Sequence, residues 1–183
     1  MQVIETKLSG VKVLEPKVHG DHRGWFSETY SMRTLAEHGI ETVFVQDNQS
    51  FSAQKGTLRG LHFQNNPKAQ TKLVRCTRGS ILDVAVDIRR GSPTFGQWVA
   101  YELSADNKRQ LYISKGFAHG FLTLTEDVEV QYKVDEYYAP DCDRSIFYDD
   151  PEIGVEWGDI SPVLSDKDLK APALKDCDFN FTF

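Results

Sequence analysis

The chain has 183 residues, of which 40% are hydrophobic and 11% aromatic, and its formal net charge is −6. This composition predicts one globular domain over residues 1–183 and excludes a disordered chain. The negative charge argues against nucleic acid or an anionic membrane as the main partner, and no apolar run approaches the ~20 residues of a membrane-spanning helix.

The N-terminal segment and the cysteines predict a cytoplasmic protein. The first residues, MQVIETKLSGVKV, contain acidic and basic side chains and no apolar core, so a signal peptide is not expected. The three cysteines, Cys76, Cys142 and Cys177, lack the spacing of a metal site. Three reduced thiols in the cytoplasm are the simplest interpretation.

Short strands and turns dominate the first part of the chain. Residues 3–18 predict one or two strands, and the alternation in WFSETY, residues 25–30, predicts another. Ser31 can cap a short helix that ends at Gly39. The polar segment QDNQSFS, residues 46–52, is predicted to form turns.

Residues 57–75, TLRGLHFQNNPKAQTKLVR, combine two predicted strands with three side chains suited to chemistry. Alternation in the first strand places His62 on one face and Arg59 on the other. The second strand, which carries Lys72, follows a polar turn. The two strands are predicted to be antiparallel neighbours or to pair across a small sheet. Either arrangement would bring an imidazole and an ammonium group to one concave surface.

The second half continues the pattern of short strands. SILDVAVDIR, residues 80–89, alternates aliphatic and acidic side chains, which predicts a strand between the core and a polar surface or cavity wall. QWVAYEL, QLYIS and LTLTEDVEVQYKVDEYY also predict strands, and KGFAHGF is a glycine-rich lead-in to the last of them. Turns about 8–12 residues apart and little helix favour an all-β double-stranded β-helix of the jelly-roll or cupin type, with a few short helices. A ligand would bind at the mouth of such a barrel.

Several side chains could carry proton chemistry, and each has a structural alternative. His62 suits proton abstraction near neutral pH, or it is a hydrogen-bonded strand histidine. His119 is either a contact at the barrel mouth or an ordinary loop or strand histidine. Tyr132 could donate a proton, or it fills the barrel. Asp168 could orient an imidazole, but its spacing from Ser165 favours a helix cap.

A metal site is not predicted. Only His62 and His119 are imidazole candidates within the barrel, and the His-x-His pattern expected of a metal site there is missing. Basic side chains near polar turns could together hold a diphosphate, although each alone would be a solvated surface charge. These side chains are Arg23, Arg59, Lys72, Arg75 and Lys167.

Segments between about Asp21 and Asp168 carry a resemblance to a known family. They are DHRGWFSETY, FVQDNQS, LRGLHFQ, QTKLVR, DVAVDIRRGSPTFG, KGFAHGF, YKVDEYYAP, DDPEIGVEW and LSDKD. In this order they resemble the dTDP-4-dehydrorhamnose 3,5-epimerase family. The resemblance implies a cupin fold, a homodimer, and inversion of C3 and C5 of dTDP-4-dehydro-6-deoxy-D-glucose through an enolate. It implies no cofactor and no metal.

The resemblance also implies a role for each matching residue. His62 would be the base, Asp168 its dyad partner, Lys72 the group that stabilises the enolate oxygen, and Tyr132 the acid on the opposite face. Positions that match contacts to the nucleotide and diphosphate are Arg23, Glu28, Gln46, Asp47, Asn48, Arg59, Lys72, His119, Asp143 and Lys167, and Tyr138 matches an aromatic that stacks on thymine. Asp143 stands where the family has a longer glutamate. A strand is exchanged within the family's homodimer, so some of these residues would serve the partner's cavity.

Two other functions stay open at this point. The chain could epimerise only one carbon of a related dTDP-4-keto-6-deoxysugar, or it could be a cupin that binds nucleotide-sugars without catalysis. The set of His62, Lys72, Tyr132 and Asp168 favours an enzyme, because a binding protein needs no base facing an acid.

Overall fold

Two antiparallel β-sheets face each other in the computed structural model of the chain, which describes residues 1–183. The strands are β1 (Gln2–Glu5), β2 (Val11–Glu15), β3 (Val18–Asp21), β4 (Gly24–Ser27), β5 (Gln46–Ser52), β6 (Leu58–Gln64), β7 (Lys72–Arg78), β8 (Ser80–Asp87), β9 (Trp98–Ser104), β10 (Gln110–Ile113), β11 (Phe117–Thr123), β12 (Val128–Val134) and β13 (Asp143–Ser145). The helices are α1 (Met32–Ala36), α2 (Asp166–Leu169) and two 3-10 turns, Pro140–Cys142 and Leu174–Asp176. None of these helices has the length and apolar character needed to cross a membrane.

The strand order agrees with the predicted cupin-type architecture. One sheet has six strands in the order β1-β2-β10-β7-β12-β5, and the other has five in the order β13-β6-β11-β8-β9. Strands β3 and β4 form a separate hairpin. The all-β fold with a few short helices is therefore confirmed, while the assignment of residues 1–183 to one domain stays a prediction.

The five-stranded sheet is buried on both faces. Ile81 and Ala85 of β8 pack in the apolar layer between the sheets, whereas Val84 and Val86 pack in a second cluster on the other face. Phe181 from the C-terminal segment belongs to that second cluster. Strand β8 therefore has no polar solvent face, although its alternation of acidic and aliphatic residues allowed one.

Residues 46–52 form strand β5, so the prediction of turns for this segment is wrong. The strand pairs with β12 from Gln46 opposite Val134 to Ser52 opposite Val128. It lies at the edge of its sheet, where only one face is covered and polar side chains are tolerated. Most of the glycine-rich segment GFAHGF, from Phe117 onwards, also lies in a strand, β11.

Strands β6 and β7 lie in opposing sheets, so the prediction that they pair with each other is wrong. The connection between them crosses from one sheet to the other. The two strands nevertheless face each other, since Lys72 Nζ donates a hydrogen bond to the backbone carbonyl of His62 at 3.5 Å. The predicted meeting of imidazole and ammonium groups is thus achieved across the sandwich.

An irregularity in β6 changes which side chains share its face. His62 is paired with His119 of β11 and Arg59 with Phe121, so three residue steps on β6 match two on β11. The extra residue places Arg59 and His62 on the same side, in contrast to the simple alternation. Gly60 lies within this bulge at a φ of +135°, and a Cβ there would lie 2.5 Å from the Cα of Gly120.

We expect Gly60→Ala to lower the free energy of unfolding by about 2–4 kcal/mol, because the added methyl would overlap the β11 backbone at an unfavourable φ. Gly91→Ala is the control, since Gly91 also has a positive φ, +83°, and nothing within 4 Å of the added carbon. The control should cost about 1–2 kcal/mol through backbone strain alone. Chemical denaturation measures both values, and equal losses would contradict a role for the close approach of the two strands.

Candidate active site

A cavity of about 370 Å³ lies between the two sheets and is open at one side. Six of the predicted site residues line it: Arg59, His62, Lys72, His119, Tyr132 and Asp168. Apolar walls are supplied by Leu58, Phe121 and Leu164. The prediction from sequence did not include these walls, because they come from three separate segments that only the tertiary fold brings together.

His62 and Asp168 form a hydrogen-bonded pair, with 2.5 Å between His62 Nε2 and Asp168 Oδ1. Asp168 lies in helix α2, whose N-cap is Ser165. The Ser165 hydroxyl accepts a hydrogen bond from the Asp168 amide at 3.2 Å and donates one to Asp168 Oδ2 at 2.8 Å. The helix cap and the orientation of an imidazole are therefore two roles of one short motif, because the cap fixes the carboxylate.

The charge state of Asp168 determines which nitrogen of His62 is available. Burial alone would raise the pKa of the Asp168 carboxyl, but the hydrogen bond and charge of His62, with contributions from Ser165 and Lys167, hold this pKa below its ordinary value. An ionised carboxylate accepts a proton bound to Nε2, so the lone pair of the neutral imidazole lies on Nδ1. The partly exposed ring lines the cavity, where Nδ1 can accept a proton.

Tyr132 reaches the same cavity from the opposite sheet. It lies on β12 between the buried residues Val130 and Val134, as its alternation predicts. Burial raises the pKa of the Tyr132 phenol and the charge of Asp143 adds to this effect, whereas Arg59 opposes it. The phenol therefore stays protonated at neutral pH and can donate a proton.

Lys72 is an almost fully buried ammonium group, with 9% of its surface exposed. Burial lowers its pKa to about 8, although the charges of Asp83 and Asp143 oppose this shift. A cation in a site of low dielectric constant is suited to stabilise negative charge that develops on an oxygen atom.

His119 lies beside Lys72 in the cavity and is held by a buried acid. Its Nε2 is 2.8 Å from Asp83 Oδ1. Burial lowers the pKa of His119, and Lys72 and His62 contribute to that decrease, whereas Asp83 opposes it. Sequence reasoning did not single out Asp83. The only signal was an acid at alternate positions of a strand that is otherwise aliphatic.

Tyr138, Asp143 and Lys167 form a connected group near the His62–Asp168 pair. Asp143 Oδ2 accepts hydrogen bonds from the Tyr138 hydroxyl at 3.2 Å and from Lys167 Nζ at 2.5 Å. Strand β13 carries Asp143 and pairs Ser145 with His62. The aspartate, although shorter than glutamate, therefore contacts two other residues that the resemblance assigns to substrate binding.

The predicted residues of β5 are divided between two faces of the sheet. Gln46 and Asn48 lie on the same face as Tyr132, and Gln46 Nε2 donates a hydrogen bond to Asn48 Oδ1 at 2.8 Å. Asp47 points to the other face and forms an ion pair with Lys133 at 2.8 Å.

Arg23 and Glu28 are not brought to the cavity within one chain. Arg23 lies at the turn of the β3–β4 hairpin and forms an ion pair with Asp21 at 2.6 Å. Glu28 follows the hairpin and is exposed. Across the whole chain, no group of three or more His, Cys, Asp or Glu side chains is arranged to hold a metal ion.

Comparison with known proteins relates this geometry to a family. The family model for dTDP-4-dehydrorhamnose 3,5-epimerase matches residues 5–176. The dTDP-4-dehydrorhamnose 3,5-epimerase of Salmonella typhimurium is 55% identical over 176 residues, which are 95% of this chain and 96% of the relative.

Two solved structures have nearly the same fold. The dTDP-4-dehydrorhamnose 3,5-epimerase of Bacillus anthracis, with TDP and PPi bound, has a TM-score of 0.92 and 54% identity, and the match covers 94% of this chain and 98% of the other. The dTDP-6-deoxy-D-glucose-3,5-epimerase of Legionella pneumophila, in complex with dTDP-4-keto-L-rhamnose, has a TM-score of 0.92 and 47% identity, with 97% and 94% covered. The chain therefore belongs to the dTDP-4-dehydrorhamnose 3,5-epimerase family of isomerases.

Proposed function

We propose that the protein inverts C3 and C5 of dTDP-4-dehydro-6-deoxy-D-glucose to give dTDP-4-dehydro-L-rhamnose, in dTDP-L-rhamnose biosynthesis. The observation that carries the proposal is the position of His62 and Tyr132 on opposing walls of one cavity. Family membership supports the substrate class. The three unpaired cysteines support a cytoplasmic location, where thiols stay reduced.

The C4 carbonyl of this substrate makes the hydrogens on C3 and C5 acidic. His62 Nδ1 takes one proton, and the electron pair of the broken C–H bond forms an enolate whose negative charge lies on the C4 oxygen. The Lys72 ammonium stabilises that oxygen. The Tyr132 hydroxyl then donates a proton to the opposite face of the carbon, which inverts it. His62 releases its proton to solvent and the Tyr132 phenolate takes one up, and the same steps at the second carbon then complete the reaction.

Substrate binding would depend on groups around the cavity mouth. Arg59 and Lys167 can neutralise the diphosphate by charge-assisted hydrogen bonds. The exposed ring of Tyr138 can stack on the thymine. Gln46 and Asn48, which share the face of Tyr132, would contact the nucleotide.

Exchange in deuterated water tests the proposal directly. With dTDP-4-dehydro-6-deoxy-D-glucose, we expect deuterium at both C3 and C5, measured by NMR of the sugar. Deuterium at one carbon would instead indicate a single-carbon epimerase. No exchange at either carbon would contradict catalysis and favour a nucleotide-sugar-binding protein.

His62→Ala should reduce exchange at both carbons by about 10²–10⁴-fold, because the proton acceptor is lost. Its affinity for dTDP, measured by calorimetry, should stay largely intact because the change removes the base rather than a proposed nucleotide contact. Unchanged turnover in this variant would remove His62 from the role of base.

Tyr132→Phe should separate exchange from inversion. Without the phenol, the enolate can only regain a proton from the side of His62, so deuterium should enter with retained configuration. We expect inversion to slow by about 10²–10⁴-fold while exchange persists. Comparison of NMR exchange rates with the rate of product formation checks this, and an equal loss of both would contradict the assignment of acid and base to opposite faces.

The protein is proposed to act as a homodimer in which the β3–β4 hairpin reaches the partner's cavity. The hairpin carries two large exposed side chains, Trp25 at 61% and Phe26 at 70%. Such apolar exposure is typical of an interaction surface. The exchange of hairpins would bring Arg23 and Glu28, which lie away from the cavity of their own chain, to a substrate.

Complementation tests this arrangement. Chains with Arg23→Ala and chains with His62→Ala are each expected to have little activity. When they are coexpressed, half of the dimers should be mixed and one site of each mixed dimer should be complete, which restores about a quarter of wild-type activity. If the hairpin served its own chain, every site would lack either Arg23 or His62, and coexpression would restore no activity.

A further inference from the structure

Asp83 is a fully buried carboxylate with only one of its oxygens satisfied. It lies on β8, has 0% of its surface exposed, and is flanked on its face by the core residues Ile81 and Ala85. Asp83 Oδ1 is bonded to His119 Nε2 at 2.8 Å. Asp83 Oδ2 is the one buried side-chain nitrogen or oxygen in residues 1–183 without a hydrogen-bond partner. An unpaired oxygen at such depth is costly, so it calls for an explanation.

A second buried acid of the same strand provides the contrast. Asp87 also has 0% of its surface exposed. Its oxygens accept hydrogen bonds from the side chains of Arg89, Ser92 and Thr94 at 2.6–2.9 Å. Asp87 therefore anchors the following turn, whereas Asp83 has unused bonding capacity within the sandwich.

The Lys72 ammonium group also lacks a strong bonding partner. It is buried, it forms no ion pair, and its one hydrogen bond, to the His62 carbonyl, is long at 3.5 Å. The charge that most favours its ammonium form is that of Asp83, followed by that of Asp143, and Lys167 opposes both. The other groups that could influence Lys72 are Arg59 and His62 from β6, His119 from β11, Tyr132 from β12 and Asp168 from α2.

We propose that Asp83 is a positioning residue, whose free oxygen keeps Lys72 in the ammonium form and whose bonded oxygen fixes His119 in the cavity. This inference rests on the proposed function, because the ammonium form matters only if Lys72 stabilises an enolate oxygen. It gives a reason for a carboxylate at a position where the surrounding core is apolar. Asp83 does not touch the substrate in this role and acts through its two neighbours.

The pH dependence of catalysis follows from this role. Lys72 is active as the ammonium form, so kcat/KM in the wild type should fall as the pH rises through the Lys72 pKa of about 8. Asp83→Asn keeps the size of the side chain but removes the charge that favours the ammonium form. The alkaline limb of kcat/KM should therefore move to lower pH by about one unit or more. Activity should approach the wild-type value again when the pH is lowered, which a merely structural defect would not produce.

Two further variants separate charge from stability and from the His119 contact. Asp87→Asn should lower the melting temperature, since it disrupts the Arg89 contacts, but should leave the alkaline limb in place. His119→Gln retains the Asp83 charge, so its alkaline limb should not move to lower pH, whatever its overall rate. Should Asp83→Asn not fold, Asp83→Ser is measured instead, because it also removes the charge and makes a smaller side chain.

The outcomes distinguish this inference from the proposed function. Wild-type exchange at C3 and C5 together with an unshifted alkaline limb in the Asp83 variant would overturn the role of Asp83 and leave the epimerase intact. No exchange in the wild type would overturn the epimerase itself. The role of Asp83 is supported if the alkaline limb of kcat/KM moves to lower pH in Asp83→Asn but not in Asp87→Asn or His119→Gln.

Discussion

The backbones of β6 and β11 approach closely at Gly60 and Gly120, and the cavity depends on this contact. A Cβ at Gly60 would overlap the β11 backbone. The bulge at this point adds one residue to β6 and brings Arg59 to the side of His62. In a regular strand the guanidinium would point away from the imidazole, and only one of the two side chains could line the cavity. A local departure from regular pairing thus determines which charges meet.

The electrostatics of the cavity depend on partial compensation among buried charges. Lys72 and Asp168 are both largely withdrawn from water, which disfavours the charged form of each. Asp168 has two partners, His62 and Ser165, that outweigh its burial and hold its pKa low. Lys72 has no such direct partner, so its pKa falls to about 8. The carboxylate that orients His62 is therefore ionised at neutral pH, whereas the Lys72 ammonium loses its proton at a much lower pH than an exposed lysine.

Local patterns in the sequence predicted what depends on local structure. The alternation around Tyr132 placed it inside the barrel, and Ser31 and Ser165 both cap the helices expected of them. The family resemblance added the partnership of His62 and Asp168, which are 106 residues apart and which no local pattern connects. The sequence did not correctly predict which strands pair with one another.

The failures have a common physical cause. Strand β5 is polar because it is an edge strand, and edge position depends on which strands pair rather than on composition. Alternation also cannot tell whether consecutive strands share a sheet, so β6 and β7 were assigned to one sheet instead of two. Asp83 was missed for a related reason: its face of β8 is polar in sequence, but its depth depends on the opposing sheet.

Central strands carry the proposed base, acid and enolate-stabilising cation, whereas several proposed nucleotide contacts lie at the edges of the fold. His62, Lys72 and Tyr132 lie on β6, β7 and β12, each of which is hydrogen-bonded on both sides within its sheet. Central strands open only in large unfolding events, so these side chains have fixed positions. Tyr138, Asp143 and Lys167 lie on the edge strand β13 or on turns and the short helix α2. Proton transfer requires such fixed distances, whereas a flexible diphosphate can be bound by side chains that adjust. Changes in nucleotide or sugar preference within this architecture should therefore arise at the edge positions, with the central strands kept unchanged.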